Sequence, residues 1–435
     1  MKKVYYQLKM YQKSPLRVGS GDNEITDSDL MIDGRGCPFI PGSSIAGVLR
    51  DLAARTIPEL SEKDRNSLFG YVSGKELSDS HVVISDAVGL EKASASDYSI
   101  DVRDGIRLDE WGITVPGNKY DFQVTETKQP YYSVLEWTGE DKLYQAEVVN
   151  GLDLLMKSIA ASGLSFGART TRGYGRMQVS VKRKSFDFPA DIREWLDFDP
   201  LAEGSFEEST EVEAGLQETT DLNIHVNLKI QGSFSVRVNT EAPVILEDGS
   251  APDSVPLCNS EGKPVIPGTS WAGVFRHHML GVLRQTGTDR AHAAELNRLF
   301  GMEENEGEHI RSAIRFSETV IHGGTPYSLT RNAVDRFTQA PRNAALFTDL
   351  FWQGGRGELE ITIERRKINK IQTQLLAASL IDLDLGLLTF GGAAGTGHGR
   401  CTVTGITVNG HDRIREIKEK NSHFLEETLW VNIDG

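Results

Sequence analysis

The alternation of apolar and polar positions predicts the same order of elements twice along the chain. Residues 4–10 (VYYQLKM) and 222–230 (LNIHVNLKI) alternate with period two, which predicts a strand at the start of each half. A helix is predicted after each strand, over Ile45–Ala54 and Trp271–Leu283. Each helix follows a Pro-Gly-Ser/Thr-Ser turn, whose serine is a good N-cap.

The remaining elements also recur. Short strands and an irregular polar stretch follow each helix, the latter at roughly 97–142 and 321–356. A second helix is predicted by apolar residues three or four positions apart: Val148, Leu152, Leu155 and Ile159, then Ile368, Ile371, Leu375 and Ala378. A glycine-rich run and a closing strand end each half. This order, strand–helix–strand–strand–helix–strand, is the α+β ferredoxin-like plan, which RNA recognition motifs share.

Repeated motifs show that the two halves are copies. PFIPGSSIAGVLR (38–50) matches PVIPGTSWAGVFR (264–276) at nine of thirteen positions, with an offset of 226. Two further landmarks recur in order: Leu68-Phe69-Gly70 as Leu299-Phe300-Gly301, and VVISDAV (82–88) as IRFSETV (314–320). The glycine-rich runs repeat with an offset of 224. A nearly constant offset over four landmarks indicates a tandem duplication.

An acidic segment separates the copies. Between Asp187 and Asp221 there are 12 acidic residues and one basic residue, a net charge of −11. Because the whole chain carries −15, the other 400 residues carry only −4, and both halves can have basic surfaces. The sequence predicts a first domain over 1–185, a flexible, solvated linker over 186–221 and a second domain over 222–435.

Composition narrows the class of protein. With 39% hydrophobic and 25% charged residues the chain has the composition of a soluble globular protein. Its three cysteines form no C-x-x-C pair, so neither a disulfide framework nor a zinc ribbon is indicated. No apolar run is long enough for a signal peptide or a membrane span. We therefore expect a cytoplasmic protein without membrane contact.

The glycine-rich runs are GLSFGARTTRGYGRMQV (163–179) and LLTFGGAAGTGHGRCTV (387–403). Neither fits a dinucleotide-binding fingerprint, because a helix precedes each run and a strand follows it. They could simply turn the chain, but arginine beside glycine amides suits a nucleic-acid backbone. The RNA-binding candidates are Gly167, Arg169, Arg172, Gly173, Gly175 and Arg176 in the first run, and Gly391, Gly397, Gly399 and Arg400 in the second.

The glycine-rich runs together with the I-P-G-[ST]-S-x-x-G-x-x-R helix start resemble the RAMP superfamily of CRISPR-associated proteins. Each half is similar to the backbone subunit of type III effector complexes, and the fusion resembles the multi-repeat subunits of type III-D complexes. The resemblance implies two ferredoxin-like RAMP domains, each with an inserted thumb-like hairpin. It also implies guide RNA, target RNA and other RAMP-type subunits as partners, and a prokaryotic cytoplasm.

The resemblance implies RNA contacts at the two helix starts, through Gly42, Ser43, Ser44, Gly268, Thr269 and Ser270. Family members often place a basic residue after the serines, where this chain has Ala46 and Ala272. Arg50 and Arg276, a helical turn later, are candidate replacements. A surface salt bridge is an equally good interpretation of these two arginines.

One loop aspartate recurs in each half. Asp27, in TDSDLMID, and Asp253, in PDSVPLCN, each lie fourteen residues before the proline of the helix start. The resemblance implies that these aspartates face target RNA and cleave it. A carboxylate can assist attack by the RNA 2′-hydroxyl as a general base, or place Mg²⁺ or another divalent metal at the phosphate. A turn-forming role is the alternative, and Asp22, Asp29 and Asp248 are nearby competitors.

The resemblance places the thumbs near Ile106–Tyr120 and Val334–Leu346. His81 and His398 have no matched partner, which argues against a histidine-based ribonuclease. We expect an endoribonuclease subunit that cuts guide-paired RNA at two spaced sites and needs no organic cofactor. A non-catalytic RNA-binding scaffold, and a small-molecule enzyme that binds a nucleotide through the glycine-rich runs, are the alternatives.

Overall fold

The computed structural model describes residues 1–21, 25–73, 76–90, 93–108, 114–139, 142–202, 204–215, 221–238, 251–285, 296–303 and 309–426. The chain divides into two compact units. Unit 1 comprises Met1–Gly105, Tyr120–Thr170 and Tyr174–Glu218, and unit 2 comprises Ile106–Lys119, Thr171–Gly173 and Thr219–Gly435. Among the described residues, no helix is long and apolar enough to cross a membrane.

The first half of the chain contains ten strands and four helices within its described ranges. The strands are β1 (Lys2–Gln12), β2 (Tyr71–Ser73), β3 (Glu76–Ser78), β4 (Val82–Ile84), β5 (Tyr98–Leu108), β6 (Thr114–Thr127), β7 (Tyr131–Gly139), β8 (Leu164–Ser165), β9 (Arg176–Asp187) and β10 (Thr210–Glu211). The helices are α1 (Gly42–Thr56), α2 (Glu62–Phe69), α3 (Lys142–Ser162) and α4 (Ile192–Leu196).

The second half repeats the pattern. Its strands are β11 (Asp221–Gln231), β12 (Ser233–Phe234), β13 (Arg237–Val238), β14 (Val255–Pro256), β15 (Val265–Ile266), β16 (Met302–Glu303), β17 (His309–Ile310), β18 (Ile314–Phe316), β19 (Thr319–Val320), β20 (Thr325–Val334), β21 (Pro341–Gln353), β22 (Arg356–Glu364), β23 (Arg400–Val408) and β24 (His411–Asp412). The helices are α5 (Gly268–Gln285), α6 (Lys370–Asp384) and α7 (Ile414–Lys418).

Each unit has the ferredoxin-like sheet that the element order predicted. The strand order is β10-β9-β1-β7-β4 in unit 1 and β24-β23-β11-β22-β18 in unit 2, and neighbouring strands in each sheet are antiparallel. The first strand of each unit is therefore central. In β11 the apolar residues are buried and the polar ones between them are more exposed, because alternate side chains point to opposite faces of the sheet. The α+β, two-domain prediction is confirmed.

The first helix of each half starts on a proline and a glycine, not on a serine. Pro41 is the N-cap of α1 and has no side-chain cap bond, so the predicted serine cap is wrong there. The Gly42 amide donates instead to the Asp86 carboxylate, at 2.8 Å. A Cβ atom on Gly42 would lie 2.3 Å from the Ile84 carbonyl oxygen, so the close approach of helix and strand requires glycine.

The second helix of unit 2 begins later than its apolar spacing predicted. Asn369 caps α6, and it exchanges hydrogen bonds with Gln372 at 2.9 and 3.0 Å. Ile368 therefore precedes the helix, although Ile368 and Leu375 are both buried, as the spacing predicted. The side chain of Ile371 is 39% exposed, while Leu376 and Leu380 are fully buried.

A hairpin interrupts each ferredoxin-like unit where the thumbs were expected. Strands β5 and β6 form one, and β20 and β21 form the other. Residues 109–113 of the first predicted thumb lie outside the described residues. The second hairpin turns at 335–340, where the Asp335 carboxylate accepts amide hydrogen bonds from Phe337 and Thr338 at 3.0 and 2.9 Å.

The acidic segment packs onto unit 1 instead of forming a flexible linker over its described part. We call residues 188–212 the strap. Strand β10 of the strap pairs with β9, and a buried aromatic cluster joins the strap to the sheet: Tyr5, Phe186 and Phe206, with Phe188, Trp195 and Phe198 packed against them. Lys184 forms an ion pair with Glu194 at 3.2 Å. The linker was predicted from the net charge of the segment, which does not reflect its aromatic residues. These residues supply the apolar surface that a flexible linker lacks.

Candidate active site

The Asp27 loop is held against the hairpin strand β6. The Asp27 amide donates to Asp121 Oδ1 at 2.9 Å, and the Asp121 amide donates to Asp27 Oδ2 at 3.0 Å. The Gln123 amide donates to the Ser28 carbonyl at 3.1 Å, which continues the attachment. Asp27 is exposed, so its carboxylate is anchored while remaining accessible.

Asp253 has the same anchor in unit 2. The Thr348 amide of β21 donates to Asp253 Oδ2 at 2.7 Å, and the Asp253 amide donates to the Thr348 carbonyl at 2.7 Å. The Leu350 amide donates to the Ser254 carbonyl at 2.9 Å, as Gln123 does to Ser28. Asp253 is also exposed. The two aspartates paired by sequence offset therefore occupy equivalent places beside equivalent strands.

The nearby competitor Asp29 has a different environment. Its side chain is 8% exposed and accepts hydrogen bonds from the Ile25 amide, the Thr26 amide and the Thr26 hydroxyl, at 3.0, 2.9 and 2.8 Å. These bonds stabilise the turn that presents Asp27. The other two competitors, Asp22 and Asp248, lie outside the described residues.

A buried carboxylate adjoins the Asp253 loop. Asp349 is 3% exposed, accepts from the Ser254 hydroxyl at 2.5 Å, and pairs with Arg237 at 3.1 Å and with Arg331. Burial by itself raises the pKa of Asp349. The hydrogen bonds from Ser254 and Arg331 and the positive charges of both arginines outweigh this effect, so the pKa of Asp349 lies below its ordinary value. Asp349 therefore stays ionised and fixes the strand that holds Asp253.

The glycines of both runs have structural reasons to be glycine. Gly175 and Gly399 have φ values of 70° and 74°, and a Cβ atom on them would lie 1.9 and 1.8 Å from the carbonyl oxygens of Phe166 and Phe390. Positive φ also occurs at Gly167, Gly173, Gly391 and Gly397. These positions explain why the two runs share a glycine pattern.

The predicted helix arginines are engaged with asparagine side chains. Arg50 donates to Asn66 Oδ1 at 2.7 Å and to the Gly70 carbonyl at 2.9 Å. Arg276 donates to Asn297 Oδ1 at 2.7 Å. Each arginine thus joins the first helix to the helical segment that follows it, a contact that neither sequence interpretation anticipated.

The arginines of the first run have different surroundings. In unit 2, to which residues 171–173 are assigned, Arg172 donates to the Phe300 carbonyl at 2.7 Å. In unit 1, the Arg169 guanidinium lies over the rings of Tyr120 and Phe122, at 4.6 and 4.9 Å from their centroids. Arg176 and Arg400 begin the closing strands β9 and β23.

At the helix starts, Ser43 is exposed, and Ser44, Thr269 and Ser270 are partly exposed. Gly42 and Gly268 are buried, and a Cβ atom on Gly268 would lie 2.3 Å from the Phe316 carbonyl oxygen. The side chains with hydroxyl groups are thus at least partly exposed, and the glycines position the helices.

The histidines considered in the sequence analysis lie in separate environments. His398 stacks on Phe351 with centroids 4.2 Å apart, and its Nδ1 hydrogen-bonds to the Ser233 hydroxyl at 2.8 Å. Burial and the charge of Arg331 lower the pKa of His398, which favours neutral imidazole. His81 Nδ1 instead hydrogen-bonds to Ser67.

The donor groups around the aspartates fit a metal that RNA phosphate helps to bind. Unit 1 offers the carboxylates of Asp27 and Asp121, whereas unit 2 offers Asp253 beside Thr348. Mg²⁺ is usually held by one or two carboxylates together with substrate phosphates. In the described part of the chain, the cluster of three metal-ligating side chains lies elsewhere, on the unit 2 sheet: His225, Glu358 and Glu360.

Several residues around the loops were missed in the sequence. Arg17 and Arg237 both follow the first strand of a half, but they are not equivalent: the Arg17 carbonyl accepts the Ala168 amide, whereas in unit 2 the Ser235 carbonyl accepts the matching Gly392 amide. Asp121 and Asp349 were hidden inside the polar inserts, which align only when the hairpin pairing is known.

The sequence model of the RAMP superfamily matches residues 9–178 and 237–402, one region in each half. Comparison with curated proteins gives no significant match. Together the two matched regions cover most of the chain.

Proposed function

The chain belongs to the RAMP superfamily, and from this premise we propose that it is a guide-RNA-binding backbone subunit of a type III CRISPR effector complex. We propose further that it cuts guide-paired target RNA at two spaced sites. The superfamily contains RNA-binding subunits of multi-subunit complexes, and some members are ribonucleases. A prokaryotic cytoplasm and contacts with other RAMP-type subunits belong to the same proposal.

The observation that carries the proposal is the repeated, anchored aspartate. Asp27 and Asp253 each use Oδ2 to accept one hairpin amide and each remain exposed. A loop that served only as a turn would not need the same carboxylate, exposed at the same strand, in both units. An anchored carboxylate with a free oxygen suits a general base.

In the proposed reaction, the aspartate accepts the proton of a target 2′-hydroxyl. The 2′-oxygen then attacks the adjacent phosphorus, and the 5′-oxygen of the next nucleotide leaves and takes a proton from water. The products are a 2′,3′-cyclic phosphate and a 5′-hydroxyl end. Most of the acceleration comes from holding the RNA in line for attack, a task for the hairpins. A divalent metal, held by Asp27 in unit 1 or by Asp253 in unit 2, would stabilise charge on the phosphate.

A non-catalytic scaffold is the second candidate, and one observation favours it. Both carboxylates already accept main-chain hydrogen bonds, which is also what a purely structural loop anchor does. In that case another subunit cuts the target.

The complex assembled from co-expressed subunits separates these functions. We expect RNA of defined length to co-purify, and target RNA to be cut by the wild-type complex but not by the Asp27→Asn/Asp253→Asn variant. Unchanged cutting by the double variant would favour the scaffold. A wild-type protein that carries a nucleotide and no RNA would contradict the proposal as a whole.

A further inference from the structure

Two arginines from separate segments of unit 1 share one aromatic ring. Arg17 follows strand β1, and its guanidinium carbon lies 4.4 Å from the centroid of the Phe122 ring. Arg169, in the first glycine-rich run, lies 4.9 Å from the same centroid and 4.6 Å from that of Tyr120. Stacking of this kind uses the face of the guanidinium and leaves its N–H edges available to an acceptor.

The two positive charges have no anionic partner among the described residues, where no carboxylate forms an ion pair with Arg17 or Arg169. Arg17 Nε is buried and has no hydrogen-bond partner in this region. Burial and the charge of Arg169 together lower the pKa of Arg17, so the two cations repel each other. An anion bound by the two guanidinium groups would relieve the repulsion.

Unit 2 supplies that anion from its own sequence. Hairpin pairing places Asp349 at the position of Phe122, because Thr348 corresponds to Asp121 and Leu350 to Gln123. Asp349 pairs with Arg237 and Arg331. The residue of the second run that corresponds to Arg169 is Ala393, and both have left-handed backbone conformations, with φ of 61° and 59°. The same region therefore contains an ion-paired carboxylate in unit 2, whereas the two arginines of unit 1 have no such partner among the described residues.

The arginine pair adjoins the candidate cleavage loop. Phe122 directly follows Asp121, whose amide binds Asp27. The segment that carries Arg17 pairs with the same strand, since the Leu16 amide donates to the Thr125 carbonyl at 2.9 Å. An anion bound by the arginines would lie beside the loop that presents Asp27.

We propose that Arg17 and Arg169 form a binding site for a phosphodiester group of RNA, and that unit 2 lacks the equivalent site because Ser235 and Ala393 occupy the positions of the two arginines. Two guanidinium groups with free N–H edges match the oxygens of a phosphate. The inference rests on the proposed function, because the anion expected beside an RNA-cutting loop is the RNA backbone. If unit 1 has this phosphate site and unit 2 does not, the two units differ in their affinity for RNA.

The test measures how the affinity of the full chain for fluorescently labelled single-stranded RNA depends on salt. Each lost phosphate contact should reduce the slope of log affinity against log salt by about 0.7. Arg17→Ala and Arg169→Ala should each weaken binding about tenfold at low salt and flatten the slope. Arg17→Lys and Arg169→Lys keep the charge and should keep most of the slope. Arg237→Ala, the control from unit 2, should leave the slope unchanged.

The outcomes distinguish this site from the proposed function. If the wild-type chain binds RNA and the Arg17→Ala/Arg169→Ala variant has the same slope, the phosphate site is contradicted and the proposed function stands. If the wild-type chain does not bind RNA, the proposed function itself is contradicted. Should an alanine variant lose its thermal unfolding transition, Arg17→Gln and Arg169→Gln provide the same comparison with side chains of similar length.

Discussion

Asp27 and Asp121 bind each other reciprocally: the main-chain amide of each donates to the carboxylate of the other, at 2.9 and 3.0 Å. In unit 2 the partner of Asp253 is Thr348, which accepts through its carbonyl oxygen instead of its side chain. The loop aspartate is thus fixed by a side chain in one unit and by main chain alone in the other. This difference makes the two sites separable by mutation.

Removing the Asp121 carboxylate should slow cutting at the unit 1 site. Asp121→Ala leaves the Asp27 amide without its acceptor, so the loop becomes less well positioned, and we expect a loss of about tenfold in rate. Asp121→Asn keeps an acceptor oxygen and should restore most of the rate. Thr348→Ala, the matched control, should leave the unit 2 cut within about twofold. A tenfold loss with Thr348→Ala and none with Asp121→Ala would refute the assignment of these anchors.

Asp349 should stabilise unit 2 in a pH-dependent manner. Its folded-state pKa is lowered below the ordinary value of 3.8, so the carboxylate stabilises the fold above about pH 4 and loses this effect as the pH falls through the lowered pKa. Asp349→Asn should reduce the free energy of unfolding at pH 7 by about 2 kcal/mol, because two partly buried arginines lose their partner. Denaturant unfolding at pH 7 and at pH 3 measures both values. A difference between wild type and variant that grows as the pH falls below about 4 would contradict this sign.

Gly175 and Gly399 should be indispensable for stability. At both positions an added Cβ atom would clash with a carbonyl oxygen of the preceding phenylalanine, and φ is positive. We expect Gly175→Ala and Gly399→Ala each to reduce the free energy of unfolding by about 3 kcal/mol. Gly395→Ala is the control, since nothing lies within 4 Å of the added atom. Equal effects of all three substitutions would show that the runs tolerate side chains and that the glycines serve another purpose.

The strap should contribute to the stability of unit 1. Phe206 is 1% exposed within the aromatic cluster, so Phe206→Ala should cost about 3 kcal/mol in unfolding free energy. Leu201 lies in the same strap but is 71% exposed, and Leu201→Ala should change stability by less than about 0.5 kcal/mol. A flexible linker would give no effect at either residue. Limited proteolysis provides a second measurement, because a packed strap resists cleavage.

The sequence predicted the elements whose signal is local and periodic. The alternation in β11 and the repeated proline–glycine helix starts led to the correct fold class through the ferredoxin-like order of elements. The strap was missed because twelve acidic residues outweighed four aromatic residues in a segment read by its charge. Only the packing of Phe206 against Tyr5 and Phe186 shows that those rings form a core.

The candidate site was predictable in part. Asp27 and Asp253 could be paired by offset, since both lie at a fixed distance from a repeated motif. The positions of Asp121 and Asp349 beside these loops could not be predicted. Both residues lie on hairpins whose sequences differ, and only the main-chain pairing shows how the two hairpins align. The predicted arginines divide in the same way: Arg169 stacks on Tyr120 and Phe122, whereas Arg50 and Arg276 donate to asparagines.

The most direct test of the account is to map the cuts made by the single variants Asp27→Asn and Asp253→Asn in the assembled complex. Asparagine keeps an oxygen that can accept the hairpin amide, so the loop stays in place while the base is lost. The account predicts that the wild-type complex cuts end-labelled target RNA at two positions. Each variant should lose one of them by at least about a hundredfold and retain the other. Retention of both cuts at wild-type rates in both variants would contradict the claim that each unit cuts through its own loop aspartate.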